Sequence, residues 1–359
     1  NLDEPGSIYG AEANGGPITI VDTTPMGLID NAGTFIDTPG GSDIPNAIPA
    51  TPVVITPDTA FNIPWRGGMV YINDLEGKIT KINLTSSTKN GAELFDQTTL
   101  INLGANLGNA RLSFFGMDAG VGVDDGVFML FGSTGDFTNL GGREPGMDNL
   151  LYGVMDPDYP DFRHLNGVII PKGSTNNFKN LAHAGAAGTD TTYIDDENQC
   201  VNVTGEDDNE CPKLIRGQKA WVVKLEQNED GNFHDPRLFR KASASPTMFK
   251  GQVYFPVYQP PVGQNVCNQG SAFVCVHDDE CGTNTSGQLG LETPPDVPNP
   301  GANACAFVRK GVLSELVIFS DKLFANVAGP TGDEDTLFSI LSIPGEIIQN
   351  KGGWKDSSF

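Results

Sequence analysis

Two acidic runs hold the densest chemistry in this chain. "YIDDENQCVNVTGEDDNEC", residues 193–211, gathers Asp195, Asp196, Glu197, Glu206, Asp207, Asp208 and Glu210 around Cys200 and Cys211. Ca²⁺ takes about six to eight oxygen ligands from a flexible loop, and this one supplies them. Crowded carboxylates repel one another unless a cation sits among them. Calcium is therefore the candidate cofactor, with Asp195, Asp196, Glu206, Asp207 and Asp208 as the ligand set. Without a cation the same run is a solvated acidic loop. Asp156, Asp158 and Asp161 in "MDPDYPDF" form an alternative set, in a stretch that also reads as a Pro-rich turn. "NEDGNFHD", residues 228–235, starts like an EF-hand but lacks its closing glutamate.

Signals for an enzyme are poor. G-x-S-x-G, H-E-x-x-H and P-loop patterns are absent from the sequence. The four histidines, His164, His183, His234 and His277, fall in unrelated segments and suit surface or hydrogen-bonding roles better than general-base catalysis. A quinone cofactor would want a tryptophan platform and cations for its carboxylates. Trp65 and Trp221 sit in strand-like contexts that favour the core, Trp354 lies near the end of the sequence, and no adjacent Cys-Cys pair occurs. The expectation is a chain without catalytic residues and without a quinone.

The six cysteines, Cys200, Cys211, Cys267, Cys275, Cys281 and Cys305, include no C-x-x-C pair, and with so few histidines a zinc site is not expected. Their even number and loop-rich settings point to disulfides and an oxidising compartment. Cys200 and Cys211 bracket a short acidic loop and are expected to pair; the other four allow three pairings, which the sequence does not rank. A formal net charge of -23 and a pI of about 4.3 exclude nucleic acid and anionic lipid as partners. No apolar run reaches the roughly 18 residues of a membrane span, so the chain is not expected to cross a bilayer. It begins at Asn1 without a signal-peptide pattern, as a processed chain or a fragment would. Sequons at Asn83, Asn202 and Asn284 mark candidate surface loops.

These groups must be positioned by strands. With 44 Gly, 25 Pro and 38% hydrophobic residues, the chain is turn-rich yet apolar enough for a packed core. Short runs rich in Val, Ile, Phe and Tyr recur between turns: "GGMVYINDL", "KITKINL", "GVFMLFGST", "NLLYGVM", "KAWVVKL", "GQVYFPVY", "SAFVCVHD", "SELVIFSD" and "TLFSILSI". Helical periodicity is confined to a short piece near "GEIIQN". The class is all-β. Strand–turn–strand units look like loose copies of one another, each with an apolar face that only a neighbouring unit can cover. A β-propeller, complete or not within this chain, is the expected architecture, with a long-looped β-sandwich as the alternative. Residues 1–50 read as an extended segment or partial blade, and 51–359 as the propeller, with long insertions near 156–218 and 260–304 closed by disulfides. "YPDF", "VYQPPV" and "GGWKDSSF" offer aromatics beside Pro and Gly, either as surface anchors or, more in keeping with such segments, as local loop packing.

In order along the chain, these motifs resemble one family. "VYINDLEGKITKINL", residues 70–84, resembles the hairpin of quinoprotein-like propellers. "VFMLFGSTGDF" followed by "NLLYGVMD", then "RGQKAWVVKL", then "RKASASPTMFKGQVYFPVYQPPVGQNVCNQGSAFV" resemble successive motifs of the PilY-type proteins, the adhesins and biogenesis factors of type IV pilus tips. The matches cover roughly residues 65–280. The resemblance implies a secreted or cell-surface quinoprotein-like propeller, acting in adhesion or pilus assembly. Its partners would be pilus minor subunits, another extracellular protein, or a host or surface ligand. An extracellular or periplasmic quinoprotein-like oxidoreductase and a structural component of a larger extracellular assembly are the alternatives. One departure stands out: the family's Asp-rich calcium loop before the first hairpin reads "TPDTAFNIPWRGG" here, with Asp58 its only carboxylate.

The cysteine pattern makes a direct prediction. Mass analysis of the non-reduced protein should find all six thiols oxidised; six free thiols would remove the oxidising-compartment reading.

Overall fold

A computed structural model describes residues 47–55, 68–75, 77–83, 97–103, 105, 108–122, 128–156, 220–226, 235–261, 269–280, 282–293, 295, 297, 305–319 and 322–329. It also describes the backbone strands at 7–11, 17–22, 28–29, 35–36, 192–194, 200–201 and 337–342. The chain is all-β. Two small hairpins come first: β1 (Ser7–Ala11) with β2 (Pro17–Asp22), and β3 (Leu28–Ile29) with β4 (Phe35–Ile36). Four larger sheets follow in chain order, and none closes on itself among the described residues.

The first sheet is a meander of β5 (Val53–Ile55), β6 (Met69–Asn73), β7 (Lys78–Asn83) and β8 (Gln97–Asn102). The second runs β9 (Asp118–Val121), β10 (Phe128–Ser133) and β11 (Leu150–Met155). It is then extended through β14 (Ala220–Lys224) to β12 (Thr192–Ile194) and β13 (Cys200–Val201). In the third, β15 (Lys241–Ala242) and β16 (Thr247–Phe249) both pair with β17 (Gln252–Gln259), followed by β18 (Ser271–Asp278) and β19 (Ala306–Lys310). The fourth repeats that plan: β20 (Val312–Leu313) and β21 (Val317–Phe319) pair with β22 (Lys322–Ala328), which also pairs with β23 (Leu337–Ser342). Pairing is antiparallel throughout, apart from β12 beside β14.

Alternation along each strand explains why the sheets stack. On β10, Phe128 and Leu130 join a core with Met69, Tyr71 and Ile79 of the first sheet. Met129 and Phe131 point the other way, into a core with Val253, Phe255 and Phe273 of the third. β18 repeats the logic: Phe273 and Cys275 face the second sheet, whereas Ala272, Val274 and Val276 pack with Leu313, Leu316 and Leu323 of the fourth. Strands covered on both faces need apolar residues at every position, which is why "VFMLF" and "SAFVCV" are nearly unbroken runs.

The disulfide Cys275–Cys305 crosses from β18 to the residue before β19, one step beyond the Val274–Ala306 pair. It selects one of the open pairings of the four downstream cysteines. With 30 residues between its ends, it stabilises the fold by about 3.5 kcal/mol in the chain-entropy account. Two surface expectations are corrected by burial. Asn284 is only 5% exposed, because its side chain accepts from the Ser286 N–H inside a tight turn, so that sequon is not an accessible glycan site. Tyr258 of "VYQPPV" is buried on β17 rather than displayed on a loop.

Gly153 shows how close the packing is. It pairs across the ladder with Trp221, and a Cβ there would meet the indole at 2.4 Å. Gly153→Ala should destabilise the domain by about 2 kcal/mol through overpacking, read from the urea midpoint, while Gly141→Ala, where a Cβ meets nothing within 4 Å, should be near neutral.

Candidate functional site

At one end of the second and third sheets the connecting segments are held by buried ionic groups. β14 ends at Lys224 and the chain turns at Glu226, which is fully buried. Its carboxylate accepts from the Arg240 backbone N–H at 2.7 Å and from Arg237 Nε at 3.1 Å. Arg237 also donates to the carbonyls of Pro145 and Met147, so one side chain ties the 235–240 segment to the loop between β10 and β11. Arg240 is 1% exposed; its Nε donates to Gln259 Oε1 at 2.9 Å, and its guanidinium lies 4.5 Å from the Phe273 ring centroid. Asn149 closes the circuit by donating to the Arg240 carbonyl at 2.8 Å.

The same end carries further anchors. Lys241 Nζ donates to the carbonyls of Asn139 (2.7 Å) and Gly142 (3.2 Å), the C-terminal side of a 3-10 turn at Phe137–Asn139. Burial pushes the Lys241 ammonium down to about 8, partly opposed by Asp136 and Glu226. Arg111 donates to the carbonyls of Asp148 and Leu103 and pairs with the Asp148 carboxylate. Burial lowers Lys224 first; Asp148 opposes that shift and Arg111 adds to it. Arg143 donates to the Pro261 carbonyl. In the first sheet, Asp74 organises the β6–β7 turn by accepting from the Lys78 N–H at 2.9 Å, with Gly77 at φ 71°. Asn73 donates to the Phe115 carbonyl at 2.8 Å.

This framework presents aromatic rings. Phe137 is 40% exposed and meets Phe115 edge-on, with centroids 5.0 Å apart. Its turn is capped by Asp136, which accepts from the Thr138 N–H at 2.9 Å. Phe239 is half-buried with φ 55°, a backbone region that bulky residues rarely adopt, and Arg237 stacks 5.4 Å from its centroid. Rings fixed this way can serve as contact anchors at low ordering cost.

Of the residues singled out as metal ligands, Asp156 alone is described. It lies at the other end of the second sheet, 2% exposed, donating its N–H to the Phe128 carbonyl and accepting from the Tyr71 hydroxyl. There it ties the first sheet to the second. Asp195, Asp196, Glu206, Asp207, Asp208, Asp158 and Asp161 lie outside the described residues, as do Cys211, Cys267 and Cys281. Cys200 is placed in the backbone of β13, opposite Ile194. Among the described residues no group of three or more His, Cys, Asp or Glu could hold a metal ion. Glu226, Arg237 and Asn149 were not legible as a cluster. Arg240 and Lys241 fall within a motif quoted above, and their signal is two cations entering a strand of an otherwise acidic chain.

No protein-family model matches this chain, and no curated protein matches it. Among solved structures it is similar to the C-terminal domain of PilY1 from Pseudomonas aeruginosa, at 11% identity and a TM-score of 0.45, over 95% of this chain and 73% of that one.

The ionic cluster makes its own prediction. Glu226→Ala leaves buried cationic and N–H donors without their carboxylate and should cost about 3 kcal/mol of unfolding free energy by urea titration. A loss under about 0.5 kcal/mol would mean that the cluster does not hold the loops, since breaking a buried pair normally costs several times more.

Proposed function

We propose that this chain is a non-catalytic, quinoprotein-like β-propeller of the PilY type. It acts outside the cell, at or near a type IV pilus tip, in adhesion or pilus assembly. The observation that carries the reading is where the ordered motifs fall. "VFMLFGST" and "NLLYGVM" form the β10–β11 hairpin of the second sheet, and "AWVVK" is the β14 strand beside it. "RKASASP" enters the third sheet, and "QVYFPVYQ" and "SAFVCVHD" are its β17–β18 pair. Motifs that resemble successive blades thus lie on successive stacked sheets, as a propeller requires. The Cys275–Cys305 disulfide suits an oxidising, extracellular setting.

The buried cations and Glu226 engage backbone carbonyls and N–H groups, which supports a scaffold that displays loops. The contact surface in this reading is the Phe137, Phe115 and Phe239 end, facing a minor pilus subunit or another extracellular protein. Calcium at the Asp195, Asp196, Glu206, Asp207 and Asp208 carboxylates would modulate that function.

The test is binding of purified minor pilus subunits by surface plasmon resonance. Phe137→Ser should weaken binding about tenfold, the scale of an exposed aromatic anchor, without changing the far-UV circular dichroism. In parallel, Ca²⁺ should raise the melting temperature of the parent chain by mass action, chelation should reverse the rise, and Asp207→Asn with Asp208→Asn should blunt it. Unchanged affinity for every subunit would overturn the partner assignment. Appearance of a bound chromophore after adding a quinone with Ca²⁺ would overturn the non-catalytic one.

A further inference from the structure

The opposite end of the seam between the second and third sheets is closed by one imidazole. His277, near the end of β18, is 1% exposed. Its ring lies 5.9 Å from that of Trp221 of the second sheet and 6.1 Å from that of Phe255 on β17. Its backbone bridges Asn284, and its Nδ1 sits 2.9 Å from the Gly282 carbonyl. A carbonyl only accepts, so Nδ1 carries the proton and Nε2 holds the lone pair of a neutral ring. Nε2 is buried and meets no hydrogen-bond partner among the described residues.

The turn that His277 supports is short and tightly tied. Gly282 N–H donates to the Asp278 carbonyl, Asp278 N–H to Thr283, and Thr285 N–H to Val276. Trp221 Nε1 donates to the Asp279 carbonyl at 3.0 Å, so the indole touches both the imidazole and the turn. The residues packed on the ring from β14 and β17 are aromatic and uncharged. Lys224 and Glu226 lie beyond Trp221 toward the other end of the seam, and β17 contributes only the phenols Tyr254 and Tyr258. The acidic groups near it in sequence are Asp278, Asp279 and Glu280 of its own turn.

We propose that His277 is an acid-operated latch. Protonation places a charge and an unsatisfied N–H at Nε2 inside an aromatic slot. The ring then leaves Trp221 and Phe255, and the turn from 278 to 290 opens. The Cys275–Cys305 disulfide brackets this segment, so β18 and β19 stay joined and the opening is local. Burial supports the direction: it pushes the imidazole down to about 4, opposed only by the Gly282 carbonyl. The unfolded or opened ring takes up its proton near its ordinary value of 6.5. The closed turn is therefore fully favoured above about pH 6.5 and loses that advantage as the pH falls toward 4. The inference is independent of the pilus reading, because it needs no partner.

The experiment uses the full chain carrying Trp65→Phe and Trp354→Phe, which leaves Trp221 as the sole indole. Its fluorescence should change reversibly between pH 6.5 and 4, ahead of any loss of far-UV circular dichroism, and the change should vanish in His277→Phe. Proton NMR of the unaltered chain, with the His277 signal assigned from that variant or from His277→Gln, should show it titrating well below the other three histidines. Titration of His277 near 6.5, a fluorescence change that survives in His277→Phe, or coincident loss of the whole fold would each overturn the latch.

Discussion

The packing of Trp221 between two sheets is the contact on which the rest of this architecture depends. The indole lies across Gly153 of its own sheet, faces Phe131 and Phe255, and donates its N–H to the Asp279 carbonyl of the third sheet. A fully buried indole removes a large apolar area from water, but its N–H must find an acceptor. Here that acceptor comes from the neighbouring sheet. The pair is therefore specific where apolar packing alone would allow sliding: the second and third sheets can stack in one register only if the Asp279 carbonyl meets Trp221. The loops at both ends of the seam inherit their positions from that register.

The ionic end of the seam follows a different economy. Glu226, Arg240 and Lys241 are all withdrawn from solvent, and buried charges are weak evidence of net stability because desolvation opposes their mutual attraction. Their partners explain their use. Arg237, Lys241 and Arg111 reach backbone carbonyls of loops that have no ladder of their own, and the Glu226 carboxylate accepts from the Arg240 backbone N–H. A loop between stacked sheets leaves polar backbone groups facing inward, and each must be satisfied. Long cationic side chains reach several carbonyls at once, so a few of them order segments that short polar residues could not.

The fold class was legible because its signal is local. Strand-length runs of Val, Ile and Phe with Gly turns predict β6, β7, β10, β11, β17 and β18, and their nearly continuous apolar character foreshadows burial on both faces. The partners of those faces were not legible, since stacking order is set by contacts between distant segments. The same distinction separates the cysteines. That disulfides form was an expectation from count and setting, which one bond meets; that Cys275 pairs with Cys305 needs the β18–β19 register. The ionic cluster was hidden for another reason: Glu226, Asn149 and Gln259 are ordinary residues in sequence, made unusual only by burial. Asp156 adds a role that its acidic neighbourhood did not suggest: the carboxylate accepts the Tyr71 hydroxyl between two sheets.

The two ends of one seam are thus built from opposite materials. At the Glu226 end, the guanidinium groups of Arg237 and Arg111 hold loops through several bonds each, and no change of pH within the ordinary range alters an arginine. At the His277 end, a single neutral imidazole fills an aromatic slot and is held by one hydrogen bond, to the Gly282 carbonyl. The first arrangement resists change because losing one bond leaves others in place. The second has no such redundancy, and its imidazole is the kind of group whose charge state shifts between neutral and mildly acidic conditions. Trp221 contacts the second directly and reaches the first only through the length of β14. A disturbance at His277 therefore meets a fixed far end and stays confined to the turn that the Cys275–Cys305 disulfide brackets.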